Sequence, residues 1–282
     1  MTNQIITQLN PDVPPTGSDL GIVNAARKSF GRRSNWDVHR EDYGETLVKT
    51  LKDKDKRLLE FLARGMTADD FDKFLIEVAD GHSYMDDYSL DTRDWDELPD
   101  VIELLWEWRN TPTHDTPFNH SFFSFEVKAP IFVARHLVKH EYLIMSEYSR
   151  RYITDDVEFY TPKVWRKAAD DVKQGSSDEA VRYDKDGFLI GSEVRSLNSH
   201  ALELYKEMIE AGVAPEQARM VLPQSLMTSW TWSGTLGAFA NMCKLRLNSD
   251  TQDETTEVAN VVYNELEKQF PVSAPLLVKG VF

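Results

Sequence analysis

Three arginines stand out in this acidic chain because each lies beside uncharged or apolar residues. Arg151 precedes Tyr152, Arg219 lies within EQARMVLP, and Arg246 lies within CKLRLNS, so their neighbours are mainly uncharged or apolar. The planar guanidinium forms paired hydrogen bonds with phosphate and stacks on planar bases. Convergence of the three side chains would therefore favour a site for phosphate and a base. The alternative is that each arginine pairs separately with a carboxylate at a helix surface.

Histidines form a second candidate group, made up of His114, His120, His136 and His140. The last two are four residues apart and would share one face of a helix that begins at Pro130. With nearby glutamates they resemble half of a zinc site, but no glutamate has the spacing of an HExxH motif. Histidines that form hydrogen bonds at a helix surface are the other interpretation, and we predict no metal site.

The single cysteine, Cys243, lies in the apolar run ANMCKLRL without an adjacent histidine. This setting predicts a packed core thiol rather than a nucleophile. One cysteine excludes an internal disulfide and fits a reducing compartment. No basic segment followed by an apolar run stands near the first residue, and no apolar run approaches the roughly 18 residues of a membrane helix. We therefore expect a cytoplasmic protein that does not bind membranes.

The charge of the chain argues against nucleic acid as a partner. The formal net charge is -15, whereas nucleic-acid binding needs a basic face. Residues 65–112 carry 14 acidic and 3 basic residues, which gives -11 of that total. The acidity is thus concentrated in one segment, for which a solvated helical face is the simplest interpretation.

Hydrophobic periodicity predicts an α+β fold in which helices dominate. Phe123, Phe125 and Val127 alternate with polar residues, as expected for a half-buried strand. Residues 225–233 are either a strand or irregular, and 174–187 are predicted to be a loop. The predicted helices cover 19–28, 54–64, 67–80, 99–108, 130–143, 192–211, the segment from Pro215 to Pro223, 234–247 and 251–270.

Longer motifs give the chain a family resemblance. The run KAPIFVARHLVKHEYLIMSEYSRRY at 128–152, preceded by HDTPFNH at 114–120, resembles the signature region of the flavin-dependent thymidylate synthases. The family pattern has Arg-His-Arg, seven residues, Ser, one residue and Arg-Tyr. The runs GVAPEQARMVLPQSL and KLRLNSDTQDE are similar to the second conserved block of the family. The resemblance covers roughly residues 18–64 and 113–270.

The resemblance implies a fold and a set of site residues. The fold is α+β, predominantly helical, with a central antiparallel sheet in a single domain over residues 1–282. The implied substrate-binding residues are Glu147, Ser149, Arg151, Arg219 and Arg246, with Arg246 and Ser149 in the catalytic centre. The implied cofactor-binding residues are His114, Thr116, Lys139, His140, Glu141 and Asn241.

The activity implied by the resemblance is transfer of a one-carbon unit to C5 of dUMP, forming dTMP. FAD would be the cofactor, and methylenetetrahydrofolate and NADPH would be co-substrates. Protein groups in such an enzyme mainly orient the reactants and stabilise charge. Ser149 would be a phosphate ligand rather than a nucleophile. The family further implies a homotetramer whose sites are shared between subunits.

The chain departs from the family pattern on the cofactor side. Lys139 and Glu141 replace the two arginines of the triplet, and His136 replaces a usual glutamine. Thr235 and Gly237 stand where larger polar groups are common. The acidic segment 65–112 is an apparent helical insertion, either a surface addition or a cover for the altered cofactor side.

These departures leave two other functions open. One keeps the fold but methylates or hydroxymethylates another pyrimidine nucleotide such as dCMP. The other, of a different class, is a nucleotide-binding protein or a metal-dependent hydrolase that has lost flavin.

Overall fold

The chain folds into two units, here called the sheet unit and the helical unit, each built from several segments of sequence. The structure is a computed structural model that describes residues 4–40, 46–64, 114–169 and 176–279. The sheet unit comprises Met1–Pro14, Phe123–Gly234 and Leu245–Val262. The helical unit comprises Pro15–Phe122, Thr235–Lys244 and Tyr263–Phe282.

The secondary structure of the described residues follows in chain order. The strands are β1 (Ile6–Leu9), β2 (Asp37–Arg40), β3 (Leu47–Thr50), β4 (Phe122–Pro130), β5 (Leu143–Glu147), β6 (Arg166–Ala168), β7 (Ser176–Ala180) and β8 (Met227–Thr235). The helices are α1 (Asp19–Arg27), α2 (Asp53–Arg64), α3 (Ile131–Leu137), α4 (Ile190–Glu210), α5 (Pro215–Ala218), α6 (Leu236–Arg246), α7 (Asp253–Gln269) and α8 (Ser273–Val278). Short 3-10 helices cover Lys28–Phe30, Thr116–His120 and Arg219–Val221.

A four-stranded sheet with the order β1-β4-β8-β5 forms the centre of the sheet unit. Strand β1 pairs antiparallel with β4, and β5 pairs antiparallel with β8 so that Leu143 lies opposite Gly234. One face of β4 places Phe123, Phe125 and Val127 in the core, which explains the period-two pattern. Trp232 of β8 is also fully buried. The sheet therefore holds the strand β5 that leads into residues 148–152.

The helical unit packs α2 against α1 and α8. Leu59 of α2 and Phe239, Met242 and Cys243 of α6 are fully buried. Burial raises the pKa of the Cys243 thiol, so this cysteine is the inert core residue that the sequence predicts. Ser18 caps α1 by accepting a hydrogen bond from the Gly21 N–H at 3.2 Å.

The predicted α+β class with a central antiparallel sheet is confirmed, and most helices begin and end near the predicted residues. The segment 225–233, left open by the sequence, forms β8. The predicted helices at 67–80 and 99–108, like the insertion 65–112, lie outside the described residues, and the single domain over 1–282 stays a prediction. No helix in the described ranges has the length and apolarity needed to span a bilayer.

Two sequence expectations are wrong. The helix predicted over 130–143 ends at Leu137, and Leu143–Glu147 forms β5, because pairing with β8 overrides the helical pattern of this run. Tyr142 makes the turn between them with φ of 62°. The loop predicted at 174–187 contains β7, which pairs with β6 although its sequence SSDEA has little intrinsic strand preference.

A buried carboxylate ties the two ends of the helical unit together. Asp19 is 2% exposed and accepts hydrogen bonds from the N–H groups of Val272 (3.0 Å) and Ser273 (2.9 Å) and from the Ser273 hydroxyl. Burial raises the pKa of Asp19, and the three hydrogen bonds oppose that change. Asp19 thus joins the first turn of α1 to the start of α8.

Replacing Asp19 with alanine is expected to lower the free energy of unfolding by about 3 kcal/mol, because it leaves buried donors without partners. Urea denaturation followed by circular dichroism measures the change. The exposed Asp37 provides the matched control, since Asp37→Ala should change stability by less than about 0.5 kcal/mol. Equal effects of the two substitutions would contradict the anchoring role of Asp19.

Candidate active site

The guanidinium of Arg246 is held by two histidines at the C-terminal end of α6. Its Nε donates to Nε2 of His140 at 2.9 Å, and its Nη1 donates to Nε2 of His136 at 2.5 Å. Its Nη2 makes only a long bond of 3.4 Å to the backbone carbonyl of His136. Arg246 therefore keeps one weakly engaged pair of N–H donors, on Nη2.

This contact fixes the protonation of both histidines. An arginine side chain does not give up its proton in a protein, so an imidazole nitrogen that accepts from it must be unprotonated. Burial, reinforced by the charge of Arg246, lowers the pKa of His136. Burial and the charges of Arg246 and His136 lower the pKa of His140 to about 4. Both rings are therefore neutral near pH 7.

A second set of contacts from α7 supports this cluster. Since Nε2 of His136 accepts, its proton lies on Nδ1 and is donated to the Thr255 hydroxyl at 3.0 Å. The neighbouring Thr256 hydroxyl donates to the backbone carbonyl of Arg246 at 3.1 Å. The expectation that His136 and His140 share one face of a helix is wrong, because α3 ends at Leu137 and His140 lies in the turn after it. The two rings meet through Arg246 instead.

The loop after β5 carries the other predicted nucleotide residues. The Ser149 Oγ accepts a hydrogen bond from the Arg151 N–H at 3.3 Å, and the Arg151 Nη2 pairs with Glu216 Oε2 at 3.2 Å. Both partners of that ion pair are about half exposed, so the pair contributes little stability. Glu147 accepts a hydrogen bond from the Thr228 hydroxyl at 2.8 Å.

Arg219 lies one helical turn beyond Glu216, the residue that pairs with Arg151. Its side chain is exposed and has no hydrogen bond or ion pair with any other described residue. The ion pair thus links the loop of Arg151 to the segment that carries Arg219. By contrast, no hydrogen bond or ion pair within the described ranges joins Arg246 to this second group. The convergence of Ser149, Arg151, Arg219 and Arg246 in one pocket stays a prediction.

The helical unit contains a cationic cavity of about 760 Å³ beside two of the predicted cofactor residues, His114 and Thr116. The His114 ring stacks on Phe61 with a centroid distance of 5.8 Å. Cationic side chains also line the cavity, namely Arg27, Arg32, Lys54 and Arg57, and Nη2 of Arg27 pairs with the buried Asp55 at 2.6 Å. The Nε of Arg27 is buried and has no hydrogen-bond partner among the described residues. Such a cavity suits an anionic ligand with an aromatic part.

A further cluster surrounds the start of α6. The Thr235 hydroxyl donates to Oδ1 of Asn119 at 2.6 Å, and a Cβ atom on Gly237 would lie 2.6 Å from the same oxygen. Asn119 therefore fills the space that the absence of a side chain at Gly237 leaves open. Sequence reasoning missed Asn119, although its position within HDTPFNH could have drawn attention to it. Asn241, a predicted cofactor residue, is exposed on the same helix.

Lys139 and Glu141 flank His140 in the turn after α3. Both are exposed, and neither has a hydrogen bond or ion pair with another described residue. The roles predicted for them toward a cofactor therefore stay predictions.

The fold and these clusters define an α+β protein with arginine groups suited to anionic, partly aromatic ligands. The family model described as "Thymidylate synthase complementing protein" matches residues 15–272. The chain belongs to this family, that of the flavin-dependent thymidylate synthases.

Curated relatives carry that name. The flavin-dependent thymidylate synthase of Thermus thermophilus is 36% identical over 173 residues, which cover 61% of each chain. The enzyme of Thermosipho africanus is 37% identical over 164 residues, covering 56% of this chain and 68% of the relative. The matched segment thus spans about 61% of the length of the Thermus relative.

Solved structures share the fold. The UMP/dUMP methylase PolB from Streptomyces cacaoi, bound with 5-Br dUMP, has a TM-score of 0.62 at 24% identity and covers 97% of this chain and 94% of its own. The same methylase bound with 5-Br UMP has a TM-score of 0.61 at 22% identity, covering 98% and 95%.

The lowered pKa of His140 predicts that the folded protein loses stability as the pH falls. Between pH 6.5 and about 4 the unfolded chain binds a proton at this histidine while the folded chain does not. The free energy of unfolding should therefore fall as the pH drops through this window. His140→Gln removes the titration and should give a shallower fall than the wild type in urea denaturation at pH 7, 6, 5 and 4.5. The exposed His200→Gln is the control, and identical slopes in all three proteins would sink the prediction.

Proposed function

We propose that the chain is a flavin-dependent methyltransferase that transfers a one-carbon unit from methylenetetrahydrofolate to C5 of dUMP, forming dTMP, with FAD as cofactor and NADPH as reductant. Membership of the flavin-dependent thymidylate synthase family, with a match over residues 15–272, carries the proposal. The dUMP analogue bound to the structural neighbour supports a pyrimidine monophosphate as substrate. A cytoplasmic location stays part of the prediction.

In this proposal the phosphate binds to Ser149, Arg151 and Arg219, with Glu147 nearby. The Arg151–Glu216 pair is exposed, so a phosphate dianion would displace the carboxylate at little cost. Paired hydrogen bonds from guanidinium to phosphate are among the stronger polar contacts. The phosphate contacts would fix the position of the nucleotide before any bond is made.

Arg246 acts on the pyrimidine ring in the proposed enzyme. Its Nη2, engaged only at 3.4 Å, is the donor best able to reach a ring oxygen, while His136 and His140 hold the rest of the guanidinium. Negative charge develops on the base as C5 attacks, and a fixed cation beside it stabilises that charge. Two neutral histidines suit this role because they orient Arg246 without neutralising it.

The residues of the helical unit fit a flavin dinucleotide. FAD is a diphosphate with two planar ring systems, and the cavity beside His114 and Thr116 offers cations, the Phe61–His114 stack and an unpartnered Arg27 Nε. Bound FAD would supply the electrons for the reduction of the transferred carbon. We assign its binding to His114, Thr116 and Asn241, and the cofactor contacts that the family resemblance implies for Lys139, His140 and Glu141 stay predictions.

We extend the proposal to a homotetramer with shared sites. Within one chain, no hydrogen bond or ion pair among the described residues joins the Arg246 cluster to the Arg151 group. A neighbouring subunit that brings a second copy of one group to the other would complete the substrate site.

Two alternatives follow from the departures from the family pattern. Glu141 and the altered residues around Gly237 favour a change of substrate or product, such as dCMP or a hydroxymethylated base. A metal-dependent hydrolase is less well supported, because the Nε2 atoms of His136 and His140 that would bind zinc accept hydrogen bonds from Arg246.

The decisive experiment combines spectroscopy and turnover. Purified protein with added FAD should show a bound-flavin absorbance spectrum that changes when dUMP is added. With methylenetetrahydrofolate and NADPH it should release tritium from C5-labelled dUMP and form dTMP by mass spectrometry. Parallel reactions with dCMP test the alternative in which the enzyme methylates or hydroxymethylates dCMP instead of dUMP. Protein that takes up no FAD and releases no tritium would end the proposal.

Arg151→Ala is expected to raise the KM for dUMP about ten- to hundredfold, because one charged phosphate contact contributes about 1.5–3 kcal/mol. The spectrum of bound FAD should not change. Steady-state kinetics measure the effect, and the exposed Arg195→Ala serves as the matched control. An unchanged KM in Arg151→Ala would remove this residue from the phosphate site.

A further inference from the structure

Two consecutive arginines in SRRY at 149–152 have opposite surroundings. The side chain of Arg151 is 51% exposed, whereas Arg150 is 9% exposed as a residue. The family pattern places a variable residue between Ser and Arg, so the resemblance assigns no role to Arg150. A buried arginine at this point needs an explanation from its own contacts.

Arg150 closes the loop in which it lies. Its Nη1 donates to the carbonyl oxygen of Asp155, and its Nη2 donates to that of Asp156 at 2.8 Å. Its guanidinium carbon lies 5.0 Å from the centre of the Tyr148 ring. The planar guanidinium of Arg150 thus joins the start of the loop to its far end and also lies over the ring of Tyr148, the residue that precedes the loop.

Both ends of this loop are hydrogen-bonded to strand β8. The Tyr148 N–H donates to the Ser229 carbonyl oxygen at 2.8 Å, and the Met227 N–H donates to the Glu158 carbonyl oxygen at 2.8 Å. Between these points, the turn bonds from Tyr152 and Ile153 back to the Ser149 carbonyl oxygen are long, at 3.2 and 3.3 Å. The side-chain hydrogen bonds of Arg150 are therefore shorter than these turn bonds and shorter than the bond from the Arg151 N–H to the Ser149 Oγ.

The charge of Arg150 is compensated by dipoles. Among the described residues no carboxylate accepts a hydrogen bond from it, and its Nε has no partner. Burial raises the pKa of Tyr205 of α4, which is 1% exposed, and the nearby charge of Arg150 opposes that rise. A lysine could not replace this arrangement, because one ammonium cannot bridge two carbonyl groups and stack on a ring.

We propose that Arg150 is a positioning residue that holds the loop 149–156 in the shape in which Ser149 and Arg151 bind the substrate phosphate. The inference rests on the proposed function. It predicts that loss of Arg150 weakens recognition of the phosphate alone, since the base and the flavin are bound by other residues. A loop without this tie must be ordered by the ligand, which reduces affinity.

The test compares a ligand with a phosphate to one without. Calorimetry on the FAD-loaded enzyme measures the Kd of dUMP and of deoxyuridine for wild type, Arg150→Lys and Arg150→Met. We expect the Kd of dUMP to rise at least tenfold in both variants and that of deoxyuridine to stay within twofold. The KM for dUMP should rise while kcat at saturating dUMP and the flavin spectrum stay unchanged.

Three further variants keep the test independent of folding. The exposed Arg195→Lys is the matched control and should bind both ligands as the wild type does. Tyr148→Ala removes the ring beneath Arg150 and should reduce the affinity for dUMP, by less than the Arg150 variants do, without changing the affinity for deoxyuridine. Tyr148→Phe keeps the ring and should bind both ligands as the wild type does.

Either of two results would overturn the inference. They are an unchanged Kd for dUMP in both Arg150 variants, or an equal loss for dUMP and deoxyuridine, which would indicate a general structural role. Wild-type enzyme that binds neither ligand would instead overturn the proposed function, and the inference with it.

Discussion

The contact of Arg246 with two neutral histidines is the interaction on which the candidate site depends. It joins His136, His140 and Arg246, and through Thr255 it extends to the start of α7. Because a guanidinium keeps its proton, it fixes the charge and tautomer of both rings, and the rings in turn fix the direction of the guanidinium. A set of weakly constrained side chains thereby becomes one rigid group with a net positive charge.

Arg150, Arg151 and Arg219 differ in whether the side chain holds the backbone in place or is available to bind a ligand. Arg150 is buried and uses its fork on backbone carbonyls, whereas Arg151 is exposed in a weak ion pair and Arg219 has no ion pair within the described ranges. A buried guanidinium is costly to move, while an exposed one exchanges partners easily. Neighbouring residues of the same type can therefore have different roles, and their burial distinguishes them.

The sequence correctly predicts the secondary-structure elements that the local pattern of apolar and polar residues determines. The strand β4 follows from the alternation of Phe123 with polar residues, and α4 follows from its apolar stripe and the glycine after it. It failed where distant pairing decides, since Leu143–Glu147 becomes a strand only beside β8. The contact of Arg246 with residues more than 100 positions earlier has no local signal, and neither has the fit of Asn119 over Gly237. The motifs named the residues, but only packing gives their partners.

The departures from the family pattern differ in what they do to the fold. His136 is part of a hydrogen-bonded cluster, because its Nδ1 donates to Thr255 and its Nε2 accepts from Arg246. Lys139 and Glu141 are exposed and have no partner among the described residues, so the reversed charge at 141 is solvated and costs the fold little. Its effect must then be on the field that a bound anion meets. In the proposed enzyme the change would act on the cofactor side of the site, while the groups assigned to the nucleotide are retained.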